Sequence, residues 1–262
     1  MSDAILARFD AARAIILEAG GLARRRFAEI DSLTVETKLN GQDVATSADR
    51  EVEALIRARV AAAFPGDGVL GEEEGLFAGD GGPVWVVDPI DGTSPFLHGL
   101  SSWCVSIAVH ADGGTAFGFI YDPSADELFA ARAGGGATLN GRPIAVDRAY
   151  DLTTGLTGLG ANHRVAPAAV TDFAARLLAA GGMFVRNGSG ALMLAQVACG
   201  RLVAYYEPHI NLWDCAAGLC LVREAGGWTT DFPEDPATAV GGPLMAGAPQ
   251  IRGPLDALAA AA

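Results

Sequence analysis

The chain is poor in positive charge, cysteine, aromatics and long apolar runs, and each shortage excludes something. Lys and Arg number 18 against 31 Asp and Glu, a formal net charge of −13. Such a molecule repels polyphosphate backbones, which disfavours direct nucleic-acid binding. Its basic run, Arg24-Arg25-Arg26, falls near the end of a predicted first helix, where cations complement the helix dipole. The cysteines, Cys104, Cys199, Cys215 and Cys220, form no CxxC pair, have no histidine at zinc spacing and sit among apolar neighbours. They read as small buried hydrophobes. Asp3, Asp10 and Glu18 interrupt the apolar residues of the N-terminal stretch, which argues against a signal peptide and a membrane span and points to the cytoplasm.

What is present fits a globular protein: 262 residues, 50% hydrophobic, 7% aromatic and 19% charged. Apolar residues at three- and four-residue steps predict an amphipathic helix over 3–30, and a second runs from about Ala48 to Phe64 after the capping oxygens of Thr46-Ser47-Ala48-Asp49. Short β-rich runs follow at 68–71, 84–87, 103–110, 116–121 and 127–131, a meandering sheet packed on those helices. Beyond Asp147 the pattern changes to alternating strands and helices, with helices expected at 167–180, 189–199 and 212–225. The expected organisation is an N-terminal α+β half, 1–147, and a C-terminal α/β half, 148–262.

The chemistry concentrates in acids. In Trp85-Val-Val-Asp88-Pro89-Ile90-Asp91-Gly92-Thr93 an apolar strand ends in two carboxylates. Pro89 interrupts regular pairing, so Asp88 and Asp91 can turn toward one point, and the Ile90 carbonyl offers a third hard oxygen. Oxygen-only ligation points to Mg²⁺, and a short helix starting at Thr93 would turn free N–H groups toward an anion. Leu70-Gly71-Glu72-Glu73-Glu74 is a second apolar run ending in carboxylates, and Asp214 opens an apolar helix in Trp213-Asp214-Cys-Ala-Ala-Gly218. Alone, each acidic stretch reads as a solvated loop or a helix-dipole partner. Lys38, the chain's single lysine, precedes Asp43-Val-Ala-Thr46-Ser-Ala-Asp49, and a compact, rotatable ammonium suits a phosphate site.

Together these elements resemble the inositol monophosphatase family of Mg²⁺-dependent, lithium-sensitive phosphatases, over nearly the whole chain and in family order. The resemblance implies an α/β fold of α+β-type layers, an alternating αβαβα sandwich, and a homodimer. It implies two or three Mg²⁺ ions: Glu72, Asp88 and the Ile90 carbonyl on the first, Asp88, Asp91 and Asp214 on the second, with a third leaning on Glu72. Water at the first ion, oriented by Glu72 and Thr93, would attack phosphorus in line with the ester oxygen, while the N–H groups of Gly92 and Thr93 hold phosphate oxygens. Asp49 would orient Thr93, and Lys38 would hold metal-bound water or the third-ion region.

On the substrate side, the resemblance gives Glu207 the role of hydrogen-bonding polyol hydroxyls and makes Gly188, Ser189 and Gly190 the turn that admits the ring. Inositol 1-phosphate is the expected substrate. Histidinol phosphate is the alternative, because the Glu207 carboxylate could equally meet an ammonium; fructose 1,6-bisphosphate and adenosine 3′,5′-bisphosphate rank lower. A regulatory protein-binding module with little catalysis is the reading from another class. Two departures stand out: Ser94-Pro95 where many members have Thr-Asn, and Gly190 where alanine is usual. The histidines His98 and His209 read as structural or pocket-lining, since oxygen-rich Mg²⁺ sites do not need imidazole.

Overall fold

The computed structural model describes residues 2–38 and 44–260; Asp43, singled out above, lies outside them. Helices are α1 (Asp3–Phe27), α2 (Ser47–Ala63), α3 (Thr93–Leu97), α4 (Pro167–Ala179), α5 (Gly190–Ala198), α6 (Leu212–Glu224) and α7 (Arg252–Ala260). The strands are β1 (Val35–Thr37), β2 (Val44–Thr46), β3 (Gly68–Gly71), β4 (Gly75–Phe77), β5 (Val84–Asp91), β6 (Cys104–Ala111), β7 (Gly114–Asp122) and β8 (Glu127–Arg132). They continue with β9 (Gly136–Leu139), β10 (Arg142–Ile144), β11 (Leu156–Leu159), β12 (Met183–Val185), β13 (Ala204–Ile210), β14 (Trp228–Thr229) and β15 (Gly242–Gly247). No helix of the described residues is long and apolar enough to cross a membrane.

The strands form an antiparallel pair, β1-β2, an eight-stranded sheet, ordered β10-β9-β8-β7-β6-β5-β3-β4, and a five-stranded sheet, ordered β12-β11-β13-β15-β14. From β5 to β10 the large sheet is the expected antiparallel meander; β3 pairs parallel to β5. The period-2 alternation of strands assigns the two faces of that sheet. Trp85, Val87, Val105, Ile107, Val109, Phe117 and Phe119 face α1 and α2, whereas Val86, Cys104, Ala108 and Ile120 join a second core around α5 and α6. That inner helix pair also packs on the five-stranded sheet, whose other side carries α4 and α7. The resulting αβαβα sandwich is the fold class expected from sequence.

Helix α6 is apolar all round because it is enclosed on all sides, with Cys215 through Val222 buried without a break. Small residues permit this. A Cβ on Gly118 of β7 would lie 2.6 Å from Ala217 Cα and 2.8 Å from its carbonyl oxygen, and one on Gly218 would lie 2.5 Å from Leu194 Cβ. Cys104, Cys215 and Cys220 are free and buried and Cys199 is half-buried, in keeping with their reading as small hydrophobes.

The close approach at Gly118 generates a prediction. Since the obstructing atoms are backbone, Gly118→Ala should cost about 1–3 kcal/mol of stability through overpacking. It should appear in urea unfolding as a lower midpoint with an unchanged slope; an unchanged midpoint would contradict the tight α6–β7 contact.

Candidate active site

Strand β5 does not stop at Val87, as the sequence suggested, but runs through both acids to Asp91. Asp88 faces Ser106 and Asp91 faces Cys104, so three steps along β5 are matched by two along β6. The extra residue is a β-bulge at Pro89, whose missing N–H forfeits no ladder bond. The bulge re-aims the acids: Asp88 Oδ1 accepts the Ile90 N–H at 3.0 Å. Gly92 then turns the chain at φ 96°, where a Cβ would lie 2.9 Å from the Ser102 carbonyl, so this corner requires glycine. Beyond it the Thr93 hydroxyl lies 3.2 Å from both the Ile90 carbonyl and Asp49 Oδ1. Asp49 itself forms the capping box of α2, its Oδ2 accepting the Thr46 N–H and hydroxyl at 2.8 and 2.5 Å.

Asp91 ties the eight-stranded sheet to the inner helices. Its Oδ2 accepts the Ser189 hydroxyl at 2.5 Å and the Ala191 N–H at 2.7 Å, at the N-terminus of α5. The helix dipole favours an anion there. Ser189 in turn accepts the Leu192 N–H at 3.1 Å as the cap of α5.

Glu72 lies in the turn between β3 and β4, and Lys38 approaches it at 2.9 Å and Glu73 at 2.6 Å. Burial lowers the ammonium's pKa, but the two adjacent carboxylates outweigh that and hold it charged. The turn is fixed from below by Glu53 of α2, a fully buried carboxylate that accepts the Glu73 and Glu74 N–H groups at 2.9 and 3.0 Å and the Arg57 guanidinium at 2.8 Å. A side chain on Gly71 would collide with the Glu53 carboxylate.

These elements bring Glu72, Asp88 and Asp214 together, with one carboxylate oxygen of each lying within 4.8 Å of the others. Asp214 stands in the first turn of α6, accepting the Asn211 N–H at 3.2 Å. Burial, then mutual repulsion, raises Asp88 and Asp214 well above the ordinary carboxylate range. Glu72 is pushed up to about 7 by burial, only partly relieved by Lys38. Burial also raises Asp49 and Asp91 to about 6, against the hydrogen bonds each accepts. Convergent hard oxygens that cannot all ionise unaided fit divalent cations with oxygen preference.

Beside the cluster opens a cavity of about 140 Å³ lined by Asp91, Asp214, Gly188, Gly190, Asn162 and Glu207. Glu207, on β13, accepts the Tyr205 hydroxyl and, at 3.0 Å, the Asn162 amide. Burial pushes it up to about 7 despite both donors. Of the two departures from the family pattern, Gly190 lines this cavity, and Pro95 packs against Gly188, which also lines it. A Cβ at Gly188 would lie 2.6 Å from the Pro95 ring, and one at Gly190 would lie 2.9 Å from Ile210 Cδ1 and 3.0 Å from the Tyr205 hydroxyl. The His98 ring lies 2.8 Å from the Ser94 carbonyl, and half-buried His209 is held below its usual pKa by burial and then by Arg164.

Comparison with known proteins agrees with this geometry. The sequence profile described as "Inositol monophosphatase family" matches residues 7–260. The chain belongs to the inositol monophosphatase family. It is 38% identical over 236 residues to "Inositol-1-monophosphatase" of Rhizobium meliloti (strain 1021), covering 88% of this chain and 86% of that protein. It is 42% identical over 216 residues to "Nus factor SuhB" of Xylella fastidiosa, covering 82% and 78%. The crystal structure of the extragenic suppressor protein suhB from Bartonella henselae superposes with TM-score 0.89 at 33% identity, over 97% of this chain and 98% of that one. As a member of the inositol monophosphatase family, the protein is a phosphoric monoester hydrolase.

Within this family fold, sequence reasoning overlooked Glu53, Arg57 and Asn162. Glu53 carried one usable signal: Arg57 follows at i+4 and Val52 and Ile56 flank it on the buried side of α2, which places a charge where the helix turns inward. Asn162 carried none, because its partners come from β13, 45 residues away.

Two predictions follow from these charges. Glu53→Ala should destabilise the protein by about 3–5 kcal/mol, since it strands the Arg57 charge and two N–H donors; equilibrium unfolding reads this, and a loss below about 1 kcal/mol would contradict the buried pairing. In metal-free protein, Asp49, Asp91, Glu72 and Glu207 hold protons up to about 6 or 7 that the unfolded chain releases near pH 4. Stability should therefore be higher below that window and fall as pH rises through it. Thermal melts in EDTA should show a falling Tm between about pH 4 and 7, and a divalent cation should restore it at neutral pH. A flat or rising profile would mean that these acids are not strained by burial.

Proposed function

We propose that the protein hydrolyses a small polyol monophosphate, foremost inositol 1-phosphate, to the polyol and inorganic phosphate, with Mg²⁺ as cofactor. The observation that carries this is the convergence of Glu72, Asp88 and Asp214 beside the cavity containing Glu207. Glu72, Asp88 and the Ile90 carbonyl would hold one ion, Asp88, Asp91 and Asp214 a second, with Glu72 supporting a third. When bound, the ions supply Lewis acidity, lowering the pKa of water and offsetting charge on the phosphoryl oxygens and the leaving alkoxide.

The chain's own groups position the reactants. Glu72 accepts a hydrogen bond from the attacking water, and Lys38 favours the ionised form of that carboxylate and directs it by ion-pairing with it and with Glu73. Thr93 orients the same water through its hydroxyl, which Asp49 fixes from the other side. The N–H groups of Gly92 and Thr93 hold equatorial phosphate oxygens as charge redistributes toward the ester oxygen. Glu207, itself steadied by Tyr205 and Asn162, accepts from ring hydroxyls and disfavours substrates that have no donor to offer. Ser189 and the Gly188 and Gly190 turn leave room for the ring. We place this enzyme in the cytoplasm as a homodimer, with most ligands on the 1–147 half and Asp214 and the ring contacts on the 148–262 half.

A second reading, protein binding in transcription, rests on the "Nus factor" name of the Xylella relative. Phosphate release separates the two: Mg²⁺-dependent turnover abolished by EDTA supports the enzyme reading, and silence with inositol 1-phosphate and histidinol phosphate supports the other. Preference for histidinol phosphate would replace the substrate and keep the chemistry. In the active enzyme Asp88→Asn should lower kcat on the order of a thousandfold; activity within about threefold of wild type would overturn its role as a ligand. Gly190→Ala presses on Tyr205 and Ile210, both side-chain ends that can yield. It should raise KM for inositol 1-phosphate about three- to tenfold with kcat little changed.

A further inference from the structure

Ser106 stands on β6 directly across the ladder from Asp88, as Cys104 stands across from Asp91. Residues paired in this way share a face of the sheet. Alternation along β6 puts Ser106 between Cys104 and Ala108, on the face that packs against α5 and α6. Its side chain is 1% exposed, and among the described residues its hydroxyl meets no hydrogen-bond partner.

A buried hydroxyl of that kind costs stability, because folding strips its water and returns nothing. Alanine would pack there without that cost, as Ala108 does two residues on. The surroundings of Ser106 are poor in acceptors. On its other side, across β7, lies Ile120, and the buried residues of α5 and α6 are apolar side chains, glycine and cysteine. Asp88 is the exception. Its Oδ1 accepts the Ile90 N–H at 3.0 Å, and among the described residues no hydrogen bond claims its Oδ2. The neighbouring pair shows a comparable arrangement already closed, with Cys104 Sγ 3.9 Å from Asp91 Oδ2 and 3.5 Å from Ser189 Oγ. Each acid of the bulged strand thus faces, across one ladder, a side chain with a hydrogen to donate.

We propose that Ser106 is a positioning residue for the metal cluster: its hydroxyl donates to the Asp88 carboxylate and holds it in the orientation that serves a divalent cation. The inference rests on the cation reading above and adds to it a residue outside the ligand set. In that reading Asp88 is shared between two ions, so its orientation bears on both. A hydroxyl supplies the donor without adding a positive charge that would repel the metal.

Thermal melts in EDTA and across a Mg²⁺ series test this, since the rise of Tm with Mg²⁺ reports the dissociation constant. Ser106→Ala should weaken Mg²⁺ binding about tenfold or more, the scale on which metal affinity falls when a ligand loses its supporting hydrogen bond. Its Tm in EDTA should stay level or rise, because an unpartnered hydroxyl has been removed. Ser106→Thr, which keeps the hydroxyl, should hold Mg²⁺ within about threefold of wild type. Thr157, also buried without a partner, pairs with Phe184 and Ala204 and faces no acid in its ladder, so Thr157→Val should leave Mg²⁺ binding unchanged. In turnover, Ser106→Ala should need about tenfold more Mg²⁺ to reach half its maximal rate and should recover as Mg²⁺ is raised. Equal Mg²⁺ binding by wild type and Ser106→Ala, or a matching loss in Thr157→Val, overturns the proposal and leaves the cation reading standing. So does a lower Tm of Ser106→Ala in EDTA, which would make the hydroxyl a prop of the fold. A wild-type Tm unmoved by Mg²⁺ removes both.

Discussion

Mutual repulsion among buried carboxylates is the constraint to which the rest of the site answers. Glu72, Asp88 and Asp214 come from a turn, a strand and a helix, yet one oxygen of each falls within 4.8 Å of the others. No hydrophobic or hydrogen-bonding gain would assemble such a cluster by itself, since burial and like charge both oppose ionisation. The fold must therefore hold the acids in place with interactions formed elsewhere, and a bound cation then converts the stored repulsion into affinity.

Those holding interactions are local at their origin and long-range in effect. Glu53 fixes the Glu72 turn through two N–H groups while Arg57 neutralises it, so that one charge on α2 determines the direction of another on a turn. Thr46 and Asp49 cap α2, and the spare oxygen of Asp49 reaches Thr93 after β5. Asp91 caps α5 and thereby couples the bulged end of β5 to the inner helix pair. Each motif would be an ordinary helix start in isolation; here the capping carboxylates also stand at the cleft.

The same layering sets the charges around the cleft. The inner cavity meets the first turns of α5 and α6, where anions are favoured, and collects Asp91 and Asp214. Arg164 and Arg186, from the loops after β11 and β12, line the same cavity and bring positive charge to its rim.

The sequence by itself determined a good deal. Periodicity located the long helices and the meander, since an amphipathic stripe or an alternating strand leaves its pattern in neighbouring residues. The acids of Glu72, Asp88, Asp91 and Asp214 stood out because each breaks an apolar run at an element's end. Periodicity gave no sign that β5 continues through a bulge to Asp91, because the pairing that defines it belongs to β6. Nor could it show that Glu53, 19 residues before Glu72, supports the turn, or that Asn162 steadies Glu207, because those hydrogen bonds join segments far apart in the chain. Gly190 shows the division most plainly. The sequence marks it only as a departure from alanine, whereas the structure supplies the reason: the space a methyl group would occupy already borders Ile210 and the Tyr205 hydroxyl. Residue types and local order are written in the chain, but which groups approach within hydrogen-bonding distance is decided by how the layers stack.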